Sequence, residues 1–264
     1  MIALCGDVEI AYEDVGKGLP IVFLHGFPHD RSLWAPQLGA LVDRGRCIAP
    51  DLRGFGESGV HGPYTMNRYA DDVVALLDAL HIERAVIAGL SMGGYVAFAI
   101  WRRHRARVRA LVLADTRAGA DNTEGRAKRR AMIDTVRAGG IEPVIEAQVT
   151  GMLGRTTREK HPELAEYVTR MIARAPTEGV IGALEAMIGR PDSTETLATI
   201  DMPTLIVVGD EDVLTPPKEA RAMHELIRGS RLEVLGGAGH LSNLERPAAF
   251  NHVVSEFVGV LTYA

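Results

Sequence analysis

Apolar and polar residues along this chain form two kinds of segment that alternate in order. Nearly continuous apolar runs are typical of strands buried on both faces of a sheet. Six segments contain such a run: 20–26, 46–59, 84–91, 108–116, 203–212 and 231–240. Segments predicted to be helical lie among them at 32–45, 66–82, 92–104, 217–228 and 247–261. This alternation predicts an α/β fold, with a mostly parallel sheet flanked by helices.

The alternation is interrupted once, between residues 117 and 197. This stretch contains four helix-like segments and no strong strand pattern. The strand and helix rhythm then resumes at about residue 203. We therefore predict one core domain formed by residues 1–116 and 198–264. A helical cap, or lid, formed by residues 117–197 is inserted into it after the sixth strand.

The charge of the chain limits its partners. A net charge of −5 over 264 residues argues against a nucleic-acid partner, because such proteins usually present a basic face. The basic cluster at 125–130 is interpreted as a solvated helix face, since acidic residues surround it. No apolar segment approaches the ~18–20 residues that span a membrane, and no signal peptide is apparent, so we expect a cytoplasmic protein without a membrane partner. The sequence does not indicate an oligomeric state.

Cysteine and histidine positions suggest neither a disulfide framework nor a metal site. Cys5 and Cys47 both lie in strand-like apolar runs and are expected to be buried free thiols. His25, His29 and Asp30 lie close together in sequence, but their spacing matches no common zinc site. We expect no metal and no cofactor.

The segment GLSMGG at 89–94 is a candidate nucleophile turn. It fits the pattern G-x-S-x-G with Gly89, Ser91 and Gly93, and it lies between a buried strand and a helix. A sharp turn of this kind forces strained backbone angles, so the neighbours of the serine must be small. The alternative is that Ser91 only caps the helix that follows it.

A serine nucleophile needs a histidine base and a carboxylate that orients the histidine. His240 is the best candidate for the base, because it lies in a glycine-rich loop after the last predicted strand. Three carboxylates follow the preceding strand and reach the same edge of the sheet: Asp210, Glu211 and Asp212. We favour Asp212. The order nucleophile, acid, base along the chain is the one associated with a single known fold.

Five motifs in order make the chain resemble the α/β-hydrolase superfamily over essentially its whole length. They are HGFP, DLRGFGES, GLSMGG, GDEDVLTP and GAGHLSNLERP. The resemblance implies an eight-stranded, mostly parallel sheet. Its G-x-x-D-x-x-x-P pattern aligns Gly209, Asp212 and Pro216, which supports Asp212 as the acid. Some members carry the acid after the sixth strand, and Asp115 is the corresponding alternative here.

The resemblance also assigns roles around the nucleophile. It implies that the backbone N–H groups of Phe27 and Met92 form an oxyanion hole, which is the electrostatic element that acyl transfer needs. It makes His25 a brace for the HGFP loop rather than a base. Three polar residues of the DLRGFGES motif are expected to shape its turn: Asp51, Arg53 and Ser58.

By resemblance, the chain is expected to be a serine hydrolase that cleaves a small carboxylic ester or lactone through an acyl-enzyme intermediate. The alternatives are a C–C bond hydrolase or cofactor-free perhydrolase of the same fold, or a slow-turnover ligand sensor. Ser91 argues against dehalogenase and epoxide hydrolase activity, which use an aspartate at this position. Candidate pocket residues are Met132, Met152, Leu153 and Met187 from the cap, unless they only pack helix on helix, and Trp34, which lies at the pocket mouth or against the first helix.

Overall fold

The computed structural model describes residues 1–262, and eight strands form a single sheet in it. The strands are β1 (Ile2–Cys5), β2 (Val8–Val15), β3 (Pro20–Leu24), β4 (Arg46–Pro50), β5 (Ala85–Leu90), β6 (Val108–Ala114), β7 (Thr204–Gly209) and β8 (Arg231–Leu235). Their order is β1-β2-β4-β3-β5-β6-β7-β8. Strand β2 runs antiparallel to β1 and β4, and the remaining pairs are parallel. The predicted mostly parallel, eight-stranded sheet is confirmed.

Six helices belong to the parts of the chain that carry the strands. They are α1 (Ala35–Leu41), α2 (Met66–Ala79), α3 (Met92–His104), α10 (Pro217–Leu226), α11 (Ser242–Glu245) and α12 (Pro247–Thr262). Helix α2 begins where the Thr65 side chain accepts a hydrogen bond from the Arg68 amide at 3.0 Å, a typical N-cap. Its apolar face is buried, and α2 packs against α3 while α1 packs against α12.

Six further helices lie between β6 and β7, and residues 117–197 that contain them are called the helical insert below. The helices are α4 (Thr123–Gly139), α5 (Glu142–Met152), α6 (Arg155–Lys160), α7 (Pro162–Ile172), α8 (Thr177–Ile188) and α9 (Thr194–Leu197). Sequence periodicity does not predict α6 and α9. With 6 and 4 residues they are too short to develop a helical repeat of apolar positions.

The core contains three residues whose placement bears on the predictions. Trp34, a candidate pocket residue, is fully buried, with its ring 5.1 Å from that of Phe23 and 5.9 Å from that of Phe250. The bulky indole therefore fills space between β3 and α12, and its placement at the pocket mouth is wrong. Cys5 and Cys47 are buried free thiols, as predicted.

The DLRGFGES turn is held by hydrogen bonds within the turn and by hydrogen bonds to Asp72 in α2. The Arg53 guanidinium is buried and donates two hydrogen bonds of 2.7 Å to the Asp72 carboxylate. The Ser58 hydroxyl donates to the Asp51 carbonyl at 2.7 Å, and the Asp51 carboxylate accepts from the Glu57 amide at 2.8 Å. These bonds confirm that Asp51, Arg53 and Ser58 shape the turn. Among residues 1–262, no helix has the length and apolar character that a membrane crossing requires.

Candidate active site

Ser91 lies at the sharp turn where β5 ends and α3 begins. Its backbone has φ 53° and ψ −111°, a strained region for a residue with a side chain. The turn is possible because its neighbours are glycines. A Cβ atom on Gly89 would lie 2.3 Å from the Gly93 carbonyl oxygen, and one on Gly93 would lie 2.2 Å from the Leu24 carbonyl oxygen. The Ser91 side chain makes no capping hydrogen bond to α3.

The Ser91 hydroxyl is instead the first member of a chain of hydrogen bonds. Its Oγ lies 2.8 Å from His240 Nε2, and His240 Nδ1 lies 2.9 Å from Asp212 Oδ2. His240 and Asp212 are buried, on loops that follow β8 and β7. The structure therefore brings together the three residues that the sequence motifs single out, although they are far apart in the chain. In this geometry His240 can accept the hydroxyl proton while Asp212 holds the ring.

The Asp212 carboxylate is held by the turn that contains it. Oδ1 accepts hydrogen bonds from the amides of Leu214 and Thr215 at 2.8 and 2.9 Å, and the Thr215 hydroxyl donates to Oδ2 at 2.7 Å. Burial opposes ionisation of Asp212, but the charge and hydrogen bond of His240 outweigh it and lower the pKa of Asp212. Burial likewise opposes protonation of His240, yet the Asp212 charge raises the pKa of His240 above its ordinary value.

The other carboxylates near this turn have different partners. Asp115 is fully buried, and its Oδ1 accepts a hydrogen bond from the Gly209 amide at 2.9 Å, while Oδ2 bonds to the Ser242 hydroxyl. Burial and the nearby Asp212 charge raise the pKa of Asp115 well above its usual range. Asp210 accepts from the Gly237 amide at 2.6 Å, and Glu211 accepts from the Thr156 amide at 2.8 Å. Of these carboxylates, only Asp212 is hydrogen-bonded to the histidine ring.

The HGFP loop lies directly beside the nucleophile turn. A Cβ atom on Gly26 would be 3.4 Å from Ser91 Cβ. The amides of Phe27 and Met92 donate no hydrogen bond to any group within residues 1–262, so both are free to bind an oxyanion. The His25 ring lies 2.8 Å from the Gly26 carbonyl and accepts from the Leu52 amide at 2.9 Å. These two bonds give His25 the bracing position that the resemblance implied.

A cavity of about 300 Å³ opens above Ser91 and His240. This volume is at the small end of ligand pockets, which span roughly 300–1,000 Å³. Five apolar residues line it: Phe27, Met132, Met152, Met187 and Leu214. Seven further polar or charged residues line it: Tyr95, Arg117, Asp121, Lys128, Arg129, Gln148 and Thr215.

The predicted pocket residues divide into two groups. The three methionines line the cavity. Leu153 does not line the cavity. It is buried just after α5, beside Met152, whose carbonyl accepts a hydrogen bond from the His240 amide. Its prediction as a lining residue is corrected, as is that of Trp34. No group of three or more His, Cys, Asp or Glu side chains within residues 1–262 is arranged to hold a metal ion.

The sequence reasoning missed the charged residues of the cavity. Arg129 belongs to the basic cluster interpreted as solvated, yet its side chain is only 23% exposed and pairs with Asp121. The residues of α4 that line the cavity are spaced as one helix face, at 125, 128, 129 and 132. This spacing is the signal that was available in the sequence, because Met132 was already predicted to face the pocket.

Comparisons with known proteins agree with this fold. A family model described as alpha/beta hydrolase fold matches residues 20–247. The chain is 32% identical over 238 residues to 3-oxoadipate enol-lactonase 1 of Acinetobacter baylyi, covering 90% of this chain and 88% of that protein. This chain belongs to the alpha/beta hydrolase fold family and is an enzyme of that family.

Two solved structures are particularly similar. One is a thermophilic esterase from Thermogutta terrifontis with malate bound, at a TM-score of 0.95 and 42% identity, covering 98% of this chain and 96% of that one. The other is the enol-lactonase from Burkholderia xenovorans LB400, at a TM-score of 0.91 and 30% identity, covering 98% and 99%.

Proposed function

We propose that this protein is a serine hydrolase that cleaves a small carboxylic ester or lactone through an acyl-enzyme intermediate. The observation that carries the proposal is the pair of hydrogen bonds, 2.8 Å and 2.9 Å long, that connect Ser91 to His240 and His240 to Asp212. The named activities of the similar proteins, an esterase and two enol-lactonases, support the same reaction class.

In the proposed mechanism, Ser91 Oγ attacks the substrate carbonyl while His240 Nε2 takes its proton. Asp212 stabilises the imidazolium that forms and keeps the ring oriented. The amides of Phe27 and Met92 bind the oxyanion of the tetrahedral intermediate. His240 then protonates the leaving alkoxide. In the second half of the reaction it takes a proton from the attacking water and returns it to Ser91 Oγ as the acyl–serine bond breaks and the acid leaves.

The helical insert serves as a cap over the nucleophile in this proposal. It supplies the three methionines of the cavity, whose flexible apolar side chains adapt to an acyl or alcohol group. The core domain, residues 1–116 and 198–264, supplies the nucleophile, base and acid. A cavity of about 300 Å³ restricts the substrate to a small molecule.

The proposal is tested with p-nitrophenyl esters of increasing chain length and a set of lactones, assayed with the wild type and Ser91→Ala. We expect hydrolysis that favours short chains and falls by at least ~10³-fold in Ser91→Ala. Ser230→Ala, which changes a serine in the turn between α10 and β8, is the matched control. Equal rates in the wild type and Ser91→Ala contradict the proposal, and absence of turnover with every ester and lactone favours a ligand sensor.

A further inference from the structure

We propose that the substrate carries a carboxylate in addition to the bond that is cleaved, and that Arg117 and Arg129 bind this carboxylate. The inference rests on the proposed function, because it places the reacting carbonyl at Ser91. It adds the chemical class of the substrate: a half-ester of a short dicarboxylic acid, or a lactone with a carboxylate side group.

The first observation is an imbalance of charge around Asp121. This buried carboxylate accepts hydrogen bonds from Arg117 Nη2 at 2.5 Å and from Arg129 Nε at 2.6 Å, and Arg190 Nη1 lies 3.1 Å away. Burial opposes ionisation of Asp121, but Arg129 and Arg190 outweigh it and lower the pKa of Asp121. One negative charge therefore faces three guanidinium groups.

The three arginines differ in what they can still bind. Arg190 donates to the carbonyls of Met187 and Gly119 at 3.1 and 2.7 Å, and its guanidinium stacks 4.2 Å from the centre of the Tyr95 ring. Its role is structural. Arg129 lines the cavity and donates only through Nε within residues 1–262, so its two Nη groups have no hydrogen-bond partner there. Arg117 also lines the cavity and contributes one Nη group to Asp121.

Other charges in the neighbourhood do not remove the imbalance at the cavity. Lys128 lines the cavity and pairs with the exposed Glu124 at 2.8 Å. Two further carboxylates interact with these arginines through their charge, Asp192 with Arg190 and Glu219 with Arg117. Neither carboxylate lines the cavity. The wall beside Ser91 thus presents three cationic side chains and one buried carboxylate.

A bound carboxylate is the ligand that this wall fits. Guanidinium groups bind carboxylates through paired, charge-assisted hydrogen bonds, and Asp121 already holds both arginines in position, so little ordering remains to be done on binding. The same cavity of about 300 Å³ is lined by Ser91, so one short molecule can contact Ser91 and the arginines together. A neutral ester offers no second anion to the arginines that share the single Asp121 carboxylate.

The test compares monoethyl glutarate with diethyl glutarate, in which a second ethyl ester replaces the carboxylate, and rates are expressed per ester group. We expect the wild type to have a kcat/KM at least ~10-fold higher for the half-ester, and the ratio of the two values to fall ~10- to 100-fold in Arg129→Gln. Arg130→Gln is the matched control, because it removes the same charge from the adjacent residue, which does not line this cavity. Arg129→Lys, which keeps the charge but loses the planar fork, is expected to lie between Arg129→Gln and the wild type.

A second measurement does not depend on turnover. Glutarate is expected to raise the Tm of the wild type and of Arg130→Gln, and to raise that of Arg129→Gln much less. The inference is overturned if the ratio of kcat/KM for the half-ester to that for the diester is the same in the wild type and in Arg129→Gln. It is also overturned if glutarate raises the Tm of both proteins equally. If the wild type hydrolyses no ester but glutarate still raises its Tm and this rise is lost in Arg129→Gln, the proposed function is contradicted and the carboxylate site is retained.

Discussion

His240 is flanked by two buried carboxyl groups that ionise differently. Asp212 bonds directly to the ring and accepts further hydrogen bonds from amides and from Thr215, which favour its charged form. Asp115 is fully buried and faces the Asp212 charge, which favours its neutral form. The two groups therefore have distinct roles: Asp212 stabilises a charged histidine, and Asp115 bonds to the β7 terminus and to Ser242.

The first prediction concerns Asp212→Asn. His240 must be neutral to accept the Ser91 proton, so activity rises with pH through the pKa of His240. Because the Asp212 charge raises that pKa, its removal lowers the pKa and moves the acidic limb of kcat/KM to lower pH. We also expect kcat to fall by about 10⁴-fold, because the amide no longer stabilises the imidazolium. The measurement is the pH profile of ester hydrolysis.

Asp115→Asn is the matched variant for this experiment, and it also tests the alternative acid. An asparagine is neutral, as the buried Asp115 carboxyl tends to be, and it retains an acceptor for the Gly209 amide. We expect kcat/KM within about threefold of the wild type and a smaller shift of the acidic limb to lower pH than in Asp212→Asn, because the Asp115 charge raises the pKa of His240 less than the Asp212 charge does. A larger loss in Asp115→Asn than in Asp212→Asn would show that the acid has been assigned to the wrong residue.

At the residue scale, the sequence predicts the members of the hydrogen-bonded chain but not the charged wall of the cavity. The members of this chain lie in motifs that can be identified in the sequence from neighbouring glycines and strand ends: Ser91, Asp212 and His240. Arg117 and Arg129 acquire their positions only by meeting Asp121 after folding. Trp34 is a second residue whose position the sequence does not reveal. It is buried against Phe250, which is distant in sequence.

The strand–turn–helix element formed by β5, Ser91 and α3 depends on close backbone contact. Gly93, in the first turn of α3, faces the end of β3, and a Cβ atom there would lie 2.2 Å from Leu24 O and 3.0 Å from His25 O. The obstructing atoms are backbone atoms of Leu24, the last residue of β3, and of His25, the first residue of the HGFP loop, so they cannot move without displacing that loop. The geometry of Ser91 and that of the HGFP loop are therefore set by the same contact.

We predict that Gly93→Ala disrupts this element. The added methyl group has to push apart β3 and α3, and we expect a loss of stability of about 3 kcal/mol, typical of overpacking against backbone, together with loss of most hydrolysis. Gly259→Ala in α12 is the control. A Cβ atom there meets nothing within 4 Å, so alanine is expected to leave activity unchanged and to stabilise the helix by up to about 1 kcal/mol. Thermal unfolding and ester hydrolysis of both variants provide the measurement.

At the element scale, the apolar patterns predict the central strands β3 to β7 and the long helices, because these strands are almost entirely buried and the long helices repeat an apolar stripe. Helix α4 shows what such patterns miss. Its first half presents an arginine to the interior, where Asp121 neutralises part of the cost of burial. A hydropathy pattern assigns such a residue to solvent, since the partner is not visible along the sequence.

On the scale of the whole molecule, the helical insert contacts the loop that follows β8 and carries His240. The His240 amide donates to the Met152 carbonyl at 2.8 Å. Glu245, buried in α11, accepts from the Gly154 amide at 2.8 Å and from the Gly239 and Leu241 amides at 2.9 and 3.2 Å. One carboxylate therefore connects the end of α5 with both neighbours of the histidine.

The last prediction is that Glu245 positions His240 and holds the helical insert in place. Glu245→Ala leaves three buried amides without an acceptor, and we expect the free energy of unfolding to fall by roughly 3 kcal/mol and kcat to fall more than tenfold. Glu245→Gln retains one carbonyl oxygen for these amides and is expected to recover part of both losses. The measurements are chemical unfolding and the pH profile of ester hydrolysis.

A matched substitution separates this effect from the loss of a surface charge. Glu225→Ala removes an exposed glutamate near the end of α10 and is expected to change neither stability nor kcat. If Glu245→Ala lowers only stability and leaves kcat and its pH dependence as in the wild type, Glu245 does not position His240. If it lowers kcat and Glu245→Gln restores it, the junction between the helical insert and the histidine loop controls the placement of the base.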